Sequence, residues 1–127
     1  METINLETSK KEELIDITDE VSEIVSRSKV KEGICVVYSP HTTAGITINE
    51  NADIDVRTDL QRKLSEIAED SNYKHSEGNS DSHLKSALIG QSLTVIVEKG
   101  KLILGTWQSI FFCEFDGPRE RKIIVKF

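Results

Sequence analysis

The sequence predicts an α+β fold: one domain of largely antiparallel sheets with two or three helices. Three observations carry this. Strand-like runs outnumber helix-like ones, and several follow one another directly. The long run from Trp107 to Asp116 is apolar on both faces, so it should be covered twice, by a helix layer or by another subunit. A length of 127 residues with an ordinary globular composition suits a single domain, 1–127, large enough to bury a core.

In chain order, Met1 to Ser9 reads as a strand with Ile4 and Leu6 on one face. Leu14 to Ile17 is a second short apolar stretch. Thr18 or Asp19 should cap a helix whose inward side is Val21, Ile24 and Val25. Gly33 interrupts, and Ile34-Cys35-Val36-Val37-Tyr38 has the β-branched density of a strand buried on both faces. It ends at Ser39-Pro40. His41-Thr42-Thr43 follows, and Ala44 to Glu50 then alternates as a strand with one core face. Asp53 to Asp70 has helical periodicity, with Ile54, Leu60, Leu64, Ile67 and Ala68 as the expected buried stripe and Arg57 outside it. A polar turn from Tyr73 opens a short helix ending at Gly90, with Ser80 or Asp81 as cap and Leu84, Ala87 and Leu88 as the core stripe. Ser92 to Val97 is a strand, and Lys99-Gly100 turns into Leu102 to Leu104. In the long strand Trp107, Phe111 and Phe115 share one face, and Ile110 and Phe112 the other. Asp116-Gly117-Pro118-Arg119 is a turn after which Arg121 to Phe127 should return as a hairpin.

A formal net charge of −6 argues against a general nucleic-acid binder, which wants a basic stripe. No apolar run approaches the roughly 18 residues of a membrane helix, and the charged start lacks a signal-peptide core. A cytoplasmic protein with no membrane partner is the expectation. Cys35 and Cys113 fall in separate apolar runs without a CxxC spacing, which reads as two buried thiols in a reducing compartment.

Candidate chemistry concentrates in two stretches. The first is the HTT cluster His41-Thr42-Thr43 between two core strands, where side chains can face a pocket and Gly45 permits close approach. The second is Tyr73 to Gly90, in which His75 and His83 flank Gly78 and Asn79 ahead of a helix start. Free first-turn amides and the positive end of the helix dipole suit an anion there. His41, His75 and His83 are candidate metal ligands, although His75 and His83 do not have an HExxH-type spacing. Glu50, Glu77 and Asp81 are the carboxylates in reach along the chain, and Asn49, Asn79 and Thr43 are candidate acceptors to orient imidazoles. Arg119, after the Gly-Pro turn, and Lys85, one turn into the helix, supply local positive charge for a phosphate. Gln108, beside Trp107 in a strand read as buried, would line the pocket. Each residue also has a plainer reading: solvated or hydrogen-bonded histidines, a helix cap at Asp81, surface ion pairs at Lys85 and Arg119.

HTTAGITINEN from His41 to Asn51, HSEGNSDSHLKSALIG from His75 to Gly90, LGTWQ from Leu104 to Gln108 and EFDGPRERK from Glu114 to Lys122, with Asp16-Ile17-Thr18 ahead of them, together resemble the YjbQ-like family. One departure is Ile96, where that family usually has a proline. The resemblance implies a compact domain with the sheets in a sandwich-like arrangement, assembled as a homotrimer with polar pockets near subunit boundaries, and a secondary thiamine-phosphate synthase activity. In that reaction hydroxymethylpyrimidine diphosphate and thiazole phosphate join with release of pyrophosphate. On this reading His41, His75 and His83 ligate a divalent metal or shuttle protons, and Glu50 or Asp81 is the carboxylate partner. Arg119 and Lys85 grip phosphate oxygens, while Thr42, Thr43, Asn49, Gly78, Asn79 and Gln108 bind the small phosphorylated substrate. Three imidazoles favour zinc, whereas a bound diphosphate would favour magnesium. The alternatives are a metal-dependent phosphoester or ester hydrolase and a non-enzymatic trimer that binds a small anionic metabolite.

Overall fold

The computed structural model describes residues 1–69, 72–75 and 78–127. The described residues form eight strands in two antiparallel sheets and three helices: β1 (Glu2–Glu7), β2 (Glu13–Asp16), α1 (Thr18–Ser28), β3 (Glu32–Tyr38), β4 (Ala44–Glu50), α2 (Ile54–Ile67), α3 (Ser80–Ile89), β5 (Ser92–Glu98), β6 (Lys101–Leu102), β7 (Gln108–Glu114) and β8 (Glu120–Lys126). The larger sheet runs β1-β8-β3-β5-β6 and the smaller β2-β7-β4. The α+β class expected from the pattern and the sandwich-like arrangement that the resemblance implies are the architecture observed.

The main core lies between the sheets. Alternation on β3 and β8 sends Cys35, Val37, Ile123 and Val125 inward to meet Ala44, Ile46, Ile110 and Phe112 of the smaller sheet, and α1 adds Val21, Ile24 and Val25. The opposite side of β7 is covered as its second apolar face demands: Phe111, Cys113 and Phe115 form a separate cluster with Leu14, Leu64 and Ile89. Both cysteines are buried free thiols, with burial pushing Cys35 up to about 11 and Cys113 up to about 12.

Four local expectations are corrected. β3 buries one face only, since Ile34 is exposed and pairs across the sheet with equally exposed Ile96. β8 does not return along β7. It crosses to the other sheet and pairs with β1 and β3, so the Asp116–Arg119 turn joins the two layers. Gly117 makes that crossing compact: an added Cβ would lie 2.2 Å from the Lys10 carbonyl. α2 buries none of its own residues, Ile54 and Ile67 are exposed, and only Leu64 packs on the second cluster. Arg57, expected outside, instead lies over the Phe111 ring and donates to Asn51 Oδ1 and the Leu14 carbonyl. Finally, α3 is turned over relative to its apolar pattern. Asp81, Ser82, Lys85 and Ser86 are buried, while Leu84, Ala87 and Leu88 face outward.

The serines explain the orientation of α3. Ser82 Oγ donates to the Phe115 carbonyl and Ser86 Oγ to the Ala44 carbonyl, both at 2.6 Å. Backbone groups where β7 and β4 leave the sheet thus find partners that leucines could not supply. Neither Ser80 nor Asp81 caps the helix. The N-cap is Asn79, without a side-chain cap bond. At α1 likewise Ile17 is the N-cap, and Thr18 Oγ1 instead donates to Asp16 and accepts from the Ile110 amide.

Candidate functional site

The end of β4 nearest Ala44, the start of α3 and the β7–β8 turn meet around a cavity of about 340 Å³. It is lined by Pro40, His41, Thr42, Thr43, Asn79, His83, Arg119 and Arg121. Two stretches distant in sequence, HTT and the α3 start, therefore form one site, with Arg119 arriving from the turn. Among the described residues no carboxylate lines it. Two guanidinium groups, two imidazoles, two hydroxyls and an amide do.

Arg121 anchors the floor. It is 3% exposed and forks onto Glu114, itself 0% exposed: Nε donates to Oε2 at 2.7 Å and Nη2 to Oε1. Nη2 also donates to Thr43 Oγ1 at 2.9 Å. The remaining capacity of Glu114 is taken by the Thr8 hydroxyl at 2.8 Å and the Asp116 amide at 2.9 Å. Burial alone would raise the Glu114 carboxyl, but these donors hold it below the usual carboxylate range. The pair joins β7 to β8, and so one sheet to the other, directly behind the HTT segment.

Sequence reasoning missed both members, although a signal existed. Glu114 interrupts the apolar run from Ile110 to Phe115, and Arg121 alternates in phase with Ile123 and Val125, which points it inward. An opposite-charge pair on two inward faces is a candidate buried bridge.

His41 sits at the rim between this cavity and a wider one of about 680 Å³ whose lining includes Asn5, Glu7, Glu120 and Lys122. The Lys122 amide donates to His41 Nε2 at 2.9 Å, so the proton of the neutral ring is on Nδ1. Burial, then the nearby Arg121 guanidinium, lowers the His41 pKa. His83 and His75 form an edge-to-face pair with centroids 5.5 Å apart, and His75 is exposed. Arg119 is held by its own turn, donating from Nε to the Asp116 carbonyl at 2.8 Å and from Nη2 to Asp116 Oδ2 at 3.0 Å. Asn79 Nδ2 donates to the same Oδ2 at 2.9 Å, while its buried Oδ1 has no partner among the described residues.

The remaining predicted residues lie elsewhere. Glu50, Asn49 and Gln108 are at the far end of the β4–β7 ladder, where Glu50 faces Gln108; Ala44, by the cavity, faces Glu114. Six residue steps of strand separate those ends by about 20 Å. Gln108 is exposed and accepts from the Gly105 amide, so it is a loop clasp and no pocket wall. Asp81 and Lys85 are on another side of α3, around a second cavity, and Lys85 Nζ is bound to Glu12 and Ser65. Gly78, with φ of 79°, turns the chain into Asn79 and does not line the cavity. Glu77 lies outside the described residues.

A resident metal on all three histidines does not fit this single chain. His41 spends its lone pair on the Lys122 amide, and among the described residues no three His, Cys, Asp or Glu side chains converge to hold an ion.

A two-sheet α+β domain with a donor-lined cavity at one end of the smaller sheet is the class of protein these features define. The family model described as UPF0047 protein YjbQ-like matches residues 2–127, and the chain belongs to that family. It is 57% identical over 122 residues to a UPF0047 protein of Methanocaldococcus jannaschii, covering 95% of this chain and 88% of the relative. It is 50% identical over 128 residues to the UPF0047 protein YugU of Bacillus subtilis, covering 99% and 97%. Among solved structures, a YjbQ/UPF0047 family protein of Clostridium acetobutylicum superposes with a TM-score of 0.97 at 52% identity, over 99% of this chain and 98% of that one. A YbjQ-like protein of unknown function from Sulfolobus solfataricus superposes at 0.94 with 41% identity, over 98% and 92%.

Proposed function

We propose that the chain is a transferase of the thiamine-phosphate synthase type, joining hydroxymethylpyrimidine diphosphate to thiazole phosphate with release of pyrophosphate. The observation that carries the phosphate part of this reading is the cavity lining: Arg119, Arg121, His41, His83, Asn79, Thr42 and Thr43, with no carboxylate lining it among the described residues. The choice of these two substrates rests on the resemblance to the family.

In the step, the thiazole nitrogen lone pair forms the new C–N bond to the pyrimidine methylene carbon. The C–O bond to the diphosphate breaks, and its electron pair leaves on the diphosphate oxygen. The chemistry asks the protein to position two anions and to stabilise charge developing on the leaving group. Arg121 suits the second task because the Glu114 fork fixes its guanidinium before substrate arrives, leaving Nη1 for an anion. His83 serves as a hydrogen-bond donor to a leaving oxygen, and Thr42 and Thr43 orient the phosphate. A magnesium ion would enter with the diphosphate as part of the substrate.

The protein acts as a homotrimer in the cytoplasm on this reading. Exposed Leu84, Leu88 and Trp107 are apolar surface of the kind subunit contacts cover. Among the described residues no helix is long and apolar enough to cross a membrane.

The test is pyrophosphate release from the two precursors by purified protein, with magnesium, zinc, manganese or no metal added. Product formation that falls at least tenfold in His83→Ala supports the reading. No product with any metal refutes it, and inorganic phosphate binding without turnover would point to an anion-binding module.

A further inference from the structure

The cavity of about 680 Å³ beside the donor-lined one has the size of a small-molecule pocket, and the two adjoin: Pro40, His41 and Arg121 line both. Their chemistry differs. Among the described residues no carboxylate lines the smaller, whereas the wider adds Asn5, Glu7 and Glu120 to the apolar Leu6 and the Pro40 ring. The β1–β8 register sets that lining, with Glu7 directly opposite Glu120 and Asn5 opposite Lys122 on one face of the sheet. Like charges facing each other across a ladder destabilise it. Neither carboxylate has an ion pair or a side-chain hydrogen bond among the described residues, and both side chains are exposed where they line the cavity.

The residue between the cavities has a free donor. β3 leaves the sheet after Tyr38, which faces Ile124, and the His41 ring takes over as acceptor for the Lys122 amide two residues back along β8. With Nε2 so used, the neutral ring keeps a proton on Nδ1. That N–H has no partner among the described residues, and it is not one of the buried unpaired atoms, which are Ser39 Oγ, Asn79 Oδ1 and Asp81 Oδ1. We infer that the two cavities are halves of one site for a phosphate ester of a flat heterocycle that carries N–H donors. The phosphate lies among Arg119, Arg121 and His83, and His41 Nδ1–H is donated to the oxygen joining phosphate to ring. The ring lies in the wider half against Leu6 and Pro40, with its N–H groups on Glu7 and Glu120. Of the two proposed substrates only the pyrimidine, through its amino group, has such donors, and the thiazole has none. The wider half therefore belongs to the hydroxymethylpyrimidine ester. This rests on the phosphate reading of the smaller cavity and adds which substrate's ring is held beside it, and by which side chains.

Isothermal titration calorimetry on the full chain tests this without turnover, with hydroxymethylpyrimidine monophosphate, benzyl phosphate and inorganic phosphate as probes. Benzyl phosphate offers the same phosphate on a flat six-membered ring without N–H. The pyrimidine ester should bind about ten-fold tighter than benzyl phosphate, the scale of one hydrogen bond to a carboxylate. Glu7→Ala with Glu120→Ala, both at exposed strand positions, should bring that ratio below about two-fold. The ratio cancels the loss of two negative charges, which acts on both esters alike. His41→Phe should weaken both esters about five-fold, and unchanged affinity for both would overturn the place given to His41. A wild-type ratio near one, or an unchanged ratio in the folded double variant, overturns the assignment of the ring, while pyrophosphate release from the two precursors is judged separately. Binding of inorganic phosphate with neither ester bound sinks the two-part site and spares the phosphate reading; no binding of any of the three sinks both.

Discussion

Removing one member of the Glu114–Arg121 pair should be the most damaging polar substitution on this chain. Arg121→Met would leave Glu114, 0% exposed, as an unpaired carboxylate with the Thr8 hydroxyl and the Asp116 amide as its donors. Breaking a buried pair from one side costs about 3–5 kcal/mol. For a domain of this size each kcal/mol shifts Tm by roughly 4 °C, so a fall of about 12–20 °C is expected. Glu114→Leu should fall comparably, stranding the guanidinium and its Thr43 contacts. The double variant should recover more than half of the loss, because an apolar pair asks for no charge solvation; full recovery is not expected, since Thr8, Thr43 and the Asp116 amide lose a partner. Thermal and urea unfolding at one protein concentration measures all four proteins. Single variants within about 4 °C of wild type, or a double variant whose loss equals the sum of the singles, would refute the view that this pair couples the two sheets.

Three further outcomes follow from the geometry. Gly45→Ala places a Cβ 2.9 Å from both the Gly90 carbonyl and Ile89 Cγ2, where α3 closes on β4, and should cost about 1–3 kcal/mol by overpacking in the same unfolding assay. Acid should destabilise the fold in two stages. His41 and Glu114 both have folded pKa values below their ordinary ones, so the unfolded chain binds the extra proton: stability is present above pH 6.5 for His41 and 4.5 for Glu114, and falls as pH drops through the lowered values. A Tm that is flat or rising from pH 7.5 to 4 would contradict this. Glu50→Gln, about 20 Å from the donor-lined cavity along β4, should change pyrophosphate release or phosphate binding less than two-fold, whereas Arg121→Lys, which loses the fork, should weaken phosphate binding at least ten-fold.

The α+β class was legible because strand-like runs follow one another directly, and the cover over both sides of β7 was legible because Phe111 and Phe115 alternate with Ile110 and Phe112. The meeting of HTT with Asn79, His83 and Arg119 was also legible, as polar residues at the ends of apolar elements have nowhere to face but a cleft or solvent. Three things were hidden. Asn49 and Glu50 neighbour HTT in sequence, but extended chain covers distance quickly, and six residue steps of β4 carry them to its other end. The destination of β8 was misread because a turn signal marks where a chain reverses, and pairing across layers depends on the Glu114–Arg121 bridge and Gly117. Helical periodicity misled at α3, since apolar spacing reports a face without reporting what covers it.

α3 shows why that last error bears on function. At about 100° per residue, Asn79 and His83 lie on one edge of the helix and Asp81 and Lys85 on the other, with Ser82 and Ser86 between them. The serines fasten the middle of this polar arc to carbonyls at the ends of β4 and β7, so its edges are fixed toward two different cavities. A leucine face turned inward would have buried more apolar area, yet it would leave those carbonyls unpaired and aim both polar edges at solvent. The orientation that satisfies the backbone is therefore the one that turns polar edges to two cavities and leaves Leu84 and Leu88 on the surface. If a second copy of the chain covers those leucines, Leu84→Ser with Leu88→Ser should lower the mass measured by light scattering while retaining the far-UV spectrum. An unchanged mass would mean that the assembly uses another face.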